Sequence, residues 1–388
     1  MDFELTDDQQ TIKEAVADLA SRFDDQYWMD KDLNKEFPTE FYEAFASGGW
    51  LGITMPEEFG GHGMGITEAS ILLQEVAASG AGMNGASSMH LSIFGMHPVV
   101  VHGTEQMKQE NLPRIANGDL HVCFGVTEPG AGLDTTQITT FARRDGSDYV
   151  VNGRKVWISK AAESEKVLLL TRTTKSEDVQ KKTDGMTLFF TDIDRDHVDI
   201  RPIKKMGRNA VTSNELFIDD LRIPEEHRIG EEGKGFTYLL DGLNPERMLV
   251  AAEALGIGYA ALKAATQYGN DRVVFNRPIG KNQGIQFPLA DSLARLEAAE
   301  LMLRKATWLY DHGKPCGKEA NMAKYLCADA GFDAADRALQ THGGMGYSEE
   351  YPVARFFREA RLTRIAPISQ EMILNYLGSH VLGLPRSY

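Results

Sequence analysis

The spacing of apolar residues changes period twice along this chain, and that pattern constrains the fold more than any single motif. Residues 1–120 read as helices. Thr6 with Gln9 makes a capping box ahead of a helix to about Phe23, and Thr39 starts a second that stops at Gly48 and Gly49. Thr67 starts a third, carrying Ile71, Leu72, Val76 and Ala77 on one face. A segment rich in Met, Ser and His predicts a helix from about 85 to 101, and Thr104 caps another through about Ala116. From His121 short apolar runs separated by turn residues replace the helical period. Within them Y-V-V-N-G-R-K-V-W-I, residues 149–158, predicts a β-hairpin, since Asn-Gly favours a type I′ turn. Residues 121–232 thus predict an antiparallel β domain, with no βαβ alternation and no G-x-G-x-x-G after a strand. Long helical patterns return at about 234–270, 285–312, 317–341 and 367–383, with a shorter piece near 352–361, and predict a four-helix bundle over 233–388. The expected fold class is α+β and multidomain.

Composition narrows the partners. The formal charge of −15 argues against nucleic acid and anionic membranes, which need a basic footprint. No uninterrupted apolar run approaches the roughly 20 residues that span a bilayer, and the acidic N-terminus lacks the features of a signal peptide. Cys123, Cys316 and Cys327 show no metal-ligand spacing and are odd in number, so free thiols, no metal and a cytoplasmic location are expected.

Several stretches carry chemistry. In D-G-L-N-P-E-R-M-L-V-A-A-E-A-L, residues 241–255, Asn244 suits an N-cap and Pro245 the first helical position, so a helix begins or restarts after a kink there. Glu246 and Arg247 then sit on its first turn, ahead of an apolar face that should be buried. A Glu near a helix N-terminus is favoured by the macrodipole alone, but a buried acid is either paired or put to use. In C-F-G-V-T-E-P-G-A-G-L-D, residues 123–134, the glycines suit either a tight turn or close approach of backbone amides to a ligand. Trp157, Ile158 and Ser159 set an aromatic plane beside a hydroxyl, which fits plain core or the edge of a flat heterocycle. Residues 271–283, D-R-V-V-F-N-R-P-I-G-K-N-Q, place Arg272, Arg277 and Lys281 near Phe275, as a pyrophosphate site or a solvated connector. Q-T-H-G-G-M-G-Y-S-E-E-Y-P, residues 340–352, again gathers glycines at the end of a helix.

Taken together, T-E-P-G-A-G-x-D, N-G-x-K-x-W-I-S, R-x-x-F-x-R-x-I-x-x-x-Q and Q-x-x-G-G-x-G-Y-x-x-E-Y-P-x-x-R-x-x-R-E follow the order and spacing of the acyl-CoA dehydrogenase family, which the chain resembles over nearly its whole length. The resemblance implies a helical domain, a middle β domain and a C-terminal four-helix bundle, assembled as a homotetramer, or a dimer of the same type, with FAD at subunit contacts. By that resemblance Phe124, Val126, Thr127 and Gly132 match the loop that meets the flavin, and Trp157, Ile158 and Ser159 the strand at its other side. Arg272, Phe275 and Gln283, with Gln340, Gly343 and Gly344, match positions that hold the pyrophosphate and adenosine end of a cofactor bound mainly by a neighbouring subunit, and Ser369 a hydroxyl near the dinucleotide. Leu133 departs from the usual Ser or Thr.

Many members carry the catalytic base as a Glu ahead of the last helix, where this chain has Pro367; isovaleryl- and long-chain-type members carry Glu-Arg on the bundle helix, the positions of Glu246 and Arg247. The resemblance therefore implies Glu246 as base, Arg247 as its substrate-side partner, an acyl-CoA substrate and an electron-transfer flavoprotein as acceptor. Glu371 is the rival acid. The family polarises the thioester carbonyl through a flavin ribityl hydroxyl and the backbone N–H at the position of Pro367, which has none, so either the Ile368 amide takes over through a local shift or the ribityl hydroxyl acts more nearly alone. An enoyl-CoA reductase, an oxidase and a catalytically silent acyl-CoA-binding subunit are the alternatives on the same scaffold.

Overall fold

The computed structural model describes residues 4–386. Seven helices come first: α1 (Asp7–Ala20), α2 (Asp25–Asn34), α3 (Thr39–Ser47), α4 (Ile66–Val76), α5 (Gly82–His90), α6 (His97–His102) and α7 (Glu105–Ala116). The Thr6–Gln9 capping box is formed on α1, and Thr104 caps α7. Helix α2, capped by the Asp24 side chain, has too weak an apolar stripe to be read from periodicity, although its Trp28 is fully buried. Thr67 does not cap α4: the helix begins at Ile66, and Asp311 accepts from the amides of Ile66 and Thr67 at 2.8 and 2.9 Å, a cap supplied from the far end of the chain. The single helix expected over 85–101 is instead two, because a π-turn over Leu91–Gly95 separates α5 from α6. A second π-turn, Ala77–Ala81, with Gly80 at φ 108°, separates α4 from α5.

The middle region holds β1 (Val122–Gly125), β2 (Phe141–Asp145), β3 (Asp148–Ser159), β4 (Lys166–Arg172), β5 (Met186–Asp192), β6 (Val198–Pro202), β7 (Ser213–Ile223) and β8 (Arg228–Ile229). They form one sheet in the order β6-β7-β3-β2-β4-β5-β8, with β1 on β4. The sheet is antiparallel apart from β4, which pairs in parallel with β1 and touches β2 in parallel at Phe141 and Arg172. Asn152-Gly153 is not a hairpin turn. Both residues lie inside the long strand β3, where Asn152 exchanges hydrogen bonds with Asp220 and Thr140 leaves no room for a Cβ at Gly153. The register slips there by a bulge, and the actual turn between β2 and β3 runs through Gly146. Strands β4 and β5 are buried on both faces, which explains their unbroken apolar runs: Leu168, Leu170 and Phe190 face Val99, Leu112 and Ile115 of the helices, while Val167, Leu169 and Phe189 face Tyr149, Leu216 and Leu221.

The C-terminal domain is helical: α8 (Gly235–Asp241), α9 (Leu243–Asp271), a hairpin of β9 (Val273–Val274) and β10 (Arg277–Pro278), then α10 (Gln283–Asp311), α11 (Gly317–His342), α12 (Val353–Thr363) and α13 (Gln370–Tyr376). The long helix expected over 367–383 is absent; α13 is seven residues and runs into a π-turn over Leu377–Val381. The shorter α12 packs on α9 and α11 in its place, and α4 covers another side of α9. The two helical domains consequently share one core, in which Leu72, Leu73 and Val76 of α4 meet Leu249, Ala252 and Leu255 of α9. Among the described residues α9 alone is long and apolar enough to cross a membrane, and 78% of its most apolar window is buried inside the protein.

Candidate active site

A cleft opens where the three domains meet. Helix α9 contributes Glu246, Val250 and Glu253, whose spacing of four and then three residues puts them on one face. Helix α5 contributes Met83, Ser87 and His90; β1 and β3 contribute Phe124, Trp157, Ile158 and Ser159; the end of α12 and the segment after it contribute Thr363, Ala366 and Pro367.

Helix α9 does restart after a kink, but Asn244 is not its cap. Gly242 holds that place, Asn244 lies in the first turn, and its side chain accepts from Arg247 Nη1 at 2.9 Å. Pro245 is the third helical residue, where its missing N–H costs nothing. Glu246 donates its own amide to Gly242 and reaches the cleft with its carboxylate.

That carboxylate is held by a residue that periodicity did not single out. His90 Nε2 lies 2.8 Å from Glu246 Oε2, and His90 Nδ1 lies 2.7 Å from Glu253 Oε1. The two acids are seven residues apart, about 10 Å along the helix, and one imidazole spans them. His90 ends α5 where the π-turn begins. Burial alone would push its imidazole down; the charges of Glu246 and Glu253 and their hydrogen bonds outweigh that and hold it well above its ordinary value of 6.5. The second acid was legible as one Glu inside M-L-V-A-A-E-A-L, whereas nothing local marks His90 among the histidines of its segment.

The opposite wall is built by β3. The register with β7 slips between Lys155 and Ile158, and Trp157 adopts φ 63°, which turns its ring outward at 56% exposure. Thr127 is exposed beside it, its carbonyl accepting from Val156 N at 2.9 Å. Behind Ser159 stands Arg208, itself in the left-handed region at φ 57°, donating to Ser159 Oγ at 3.0 Å and Ser213 Oγ at 2.6 Å while its buried Nε finds no partner among the described residues. Lys160 ties this strand to α5 by donating to the Ser88 carbonyl at 3.1 Å. Burial drives its amine down to about 7.

The structure thus brings Glu246, Phe124, Thr127, Trp157, Ile158 and Ser159 onto one cleft, with Val126 and Gly132 in the adjoining loop. The others stand elsewhere. Arg247 is outside the cleft lining and donates to Asn244, and its buried Nε has no hydrogen-bond partner among the described residues. Arg272 caps the far end of α9, about 39 Å from Glu246 by helix rise. Near it Phe275 tips the β9–β10 hairpin at φ 51° and 94% exposure, and Gln283 starts α10. Gln340, Gly343 and Gly344 are exposed where α11 ends, and Ser369 caps α13. Glu371 is exposed on α13, away from the cleft lining. Ile368 is also outside that lining, its carbonyl accepting from Lys324 Nζ.

Comparison with known proteins agrees with this architecture. The N-terminal, middle and C-terminal domains of acyl-CoA dehydrogenase match residues 6–119, 123–221 and 233–382. The acyl-CoA dehydrogenase FadE12 of Mycobacterium tuberculosis is 39% identical over 99% of this chain and 98% of its own length. A 3-(aryl)acrylate reductase of Clostridium sporogenes is 34% identical over 97% and 99%. The structure of butyryl-CoA dehydrogenase from Megasphaera elsdenii superposes with a TM-score of 0.92 at 32% identity, covering 98% of this chain and all (100%) of that one. The chain belongs to the acyl-CoA dehydrogenase family and is an oxidoreductase acting on acyl-CoA.

Members of this family are flavoproteins, and the residues here fit such a group. Apart from the adjoining backbone, no described residue comes within 4 Å of where a Cβ would stand at Gly132, Gly343 or Gly344, so a cofactor can approach the backbone. The exposed Trp157 ring and the Ser159 hydroxyl border the cleft at the same place.

Proposed function

We propose that this chain catalyses FAD-dependent α,β-dehydrogenation of an acyl-CoA thioester to the trans-2-enoyl-CoA, with Glu246 as the base. The observation that carries the reading is the state of the Glu246 carboxylate: Oε2 is held by His90, Oε1 has no hydrogen bond to the described residues, and the group lines the cleft with Pro367, which cannot accept a proton. Bound FAD supplies the acceptor for the hydride lost from the β-carbon. Phe124, Val126, Thr127, Gly132, Trp157, Ile158 and Ser159 would border its ring system. Arg272, Phe275, Gln283, Gln340, Gly343 and Gly344 would hold the far end of a dinucleotide in a neighbouring subunit's cleft. The distance along α9 supports that division, and exposed Phe287, Leu293, Leu301 and Trp308 on α10 support assembly, as a homotetramer. Ser369 would border the dinucleotide and Arg247 the substrate side. Electron-transfer flavoprotein as acceptor, a role in β-oxidation and a cytoplasmic location complete the reading.

Anaerobic mixing with a panel of acyl-CoA thioesters tests it. Bleaching of bound flavin by at least one thioester, and loss of that bleaching by roughly 10²- to 10⁴-fold in Glu246→Gln, is the expected result. A Glu246→Gln enzyme that bleaches at the unaltered rate removes Glu246 from the role. The likeness to a 3-(aryl)acrylate reductase favours a second reading, enoyl reduction on the same site. Flavin that is reduced by no acyl-CoA but is reoxidised by an enoyl-CoA selects it.

A further inference from the structure

The imidazole of His90 stands between two acids, with Nδ1 2.7 Å from Glu253 Oε1 and Nε2 2.8 Å from Glu246 Oε2. An ionised carboxylate only accepts, and a neutral imidazole has one N–H, so the two contacts need one hydrogen more than a neutral ring and two ionised acids possess. Either the ring is an imidazolium between two carboxylates, or it is neutral beside one protonated acid. In both cases the three groups share a single net negative charge. Exposure falls from 27% at the Glu246 side chain to 8% at His90 and 1% at Glu253, so Glu246 is where the triad meets the cleft.

Other charges face this region from the elements packed around α5. Arg208 bonds Ser87 and Ser159, and the Glu253 charge acts on its guanidinium; Lys160 bonds the Ser88 carbonyl. From α12, Arg355 donates to the Gly80 carbonyl in the π-turn ahead of α5, and Glu359 accepts from Met83 N on α5 at 2.6 Å.

We propose that His90 is a positioning residue for the base: it holds Glu246 by Oε2, leaves Oε1 to take the substrate proton, and with Glu253 absorbs the resulting change of charge. The inference rests on Glu246 being the base. When the α C–H bond breaks and its proton joins Glu246 Oε1, moving the Nδ1 hydrogen of an imidazolium to Glu253 Oε1 leaves three neutral groups. Nε2–H still donates to Glu246 Oε2, Glu253 O–H now donates to Nδ1, and no hydrogen bond is lost. A buried site pays less to hold that neutral set than a charged one.

The test uses flavin-loaded enzyme in D2O with 3-thiabutyryl-CoA and 3-thiaoctanoyl-CoA. Sulfur at position 3 carries no hydrogen, so α-proton exchange, read by mass spectrometry, reports proton removal without turnover. His90→Phe keeps a planar aromatic ring and removes both hydrogen bonds, and Glu253→Gln is isosteric. Both variants are expected to exchange about ten-fold or more slowly per bound flavin, and imidazole added to His90→Ala is expected to restore part of the rate. A role confined to packing would move thermal stability and flavin content but not exchange per flavin. Exchange in both variants within about two-fold of the unaltered enzyme, with Glu246→Gln inert, overturns the positioning role and leaves Glu246 as base. Exchange by Glu246→Gln at the unaltered rate overturns both. If His90→Phe does not fold, Glu253→Gln alone gives the same decision.

Discussion

Lys155 Nζ lies 2.8 Å from Glu128 Oε1, and the two side chains are 0% and 5% exposed. This pair pins the loop after β1 to β3. Glu128 also accepts from Thr139 N and Thr140 N, and Lys155 donates to the Val126 carbonyl. Burial pushes the Lys155 amine down to about 8 even with Glu128 beside it. Removing one partner of a buried pair leaves an uncompensated charge, so Glu128→Gln is expected to lower stability by about 3–5 kcal/mol in denaturant unfolding and to loosen flavin retention. For Glu128 itself, burial raises its carboxyl, but the Lys155 charge and the donors around it outweigh that and hold it below 4.5. Its stabilisation is therefore present above 4.5 and is lost as pH falls through the lower native value. A variant as stable as the parent at pH 7 would show the pair to be dispensable.

His90 gives the opposite sign. Burial lowers its imidazole, Glu246 and Glu253 raise it more, and the native value lies well above 6.5. A raised native value means the folded state binds more protons, so the stabilisation is complete below 6.5 and disappears as pH rises through the native value. The stability difference between the unaltered protein and His90→Gln should accordingly be largest at mildly acid pH and shrink towards alkaline pH. Calorimetric unfolding across that range checks it, and a difference that grows with pH would contradict it.

How much of this was legible beforehand follows the range of the interactions. The Thr6–Gln9 capping box, the switch to short strands at His121 and the return of long helices at α9, α10 and α11 are written in neighbouring residues and are present. Asn152-Gly153 misled because its turn chemistry is local, while the contact that needs a glycine, with Thr140, comes from another part of the chain. Thr67 looked like a cap and is not one, for the same reason: Asp311 supplies it. Glu246 could be placed on the right helix, but its partner His90 stands 156 residues away, beyond any periodicity. Arg208 was equally invisible, since its role depends on three serines gathered by the fold.

Asp311 closes the largest of these loops. It accepts from Ile66 N, Thr67 N and Thr67 Oγ1, joining the end of α10 to the start of α4. Asp311→Ala exposes two orphan amides at a helix start and is expected to cost about 1–2 kcal/mol. Because α4 packs on α9 below Glu246, the melting temperature should fall without loss of flavin bleaching per folded molecule. Loss of bleaching at unchanged stability would mean that the cap positions the site directly.

Pro367 and Glu246 line the same cleft from different elements, one after α12 and one on α9. A carboxylate at either place can therefore meet the same bound thioester, provided its height over the cleft is right. In Glu246→Gln/Pro367→Glu the base is moved from a helix, where His90 holds its carboxylate, to the segment after α12. Proton removal should return, though less well aligned, so flavin bleaching roughly ten-fold faster than in Glu246→Gln alone is expected, still short of the parent. Pro367→Ala in the Glu246→Gln background separates this from the effect of merely restoring an N–H and removing the ring; it should stay inert. If the double variant folds, retains flavin and bleaches no faster than Glu246→Gln, the position of Pro367 is out of reach of the α-proton, and the base must approach from α9 alone.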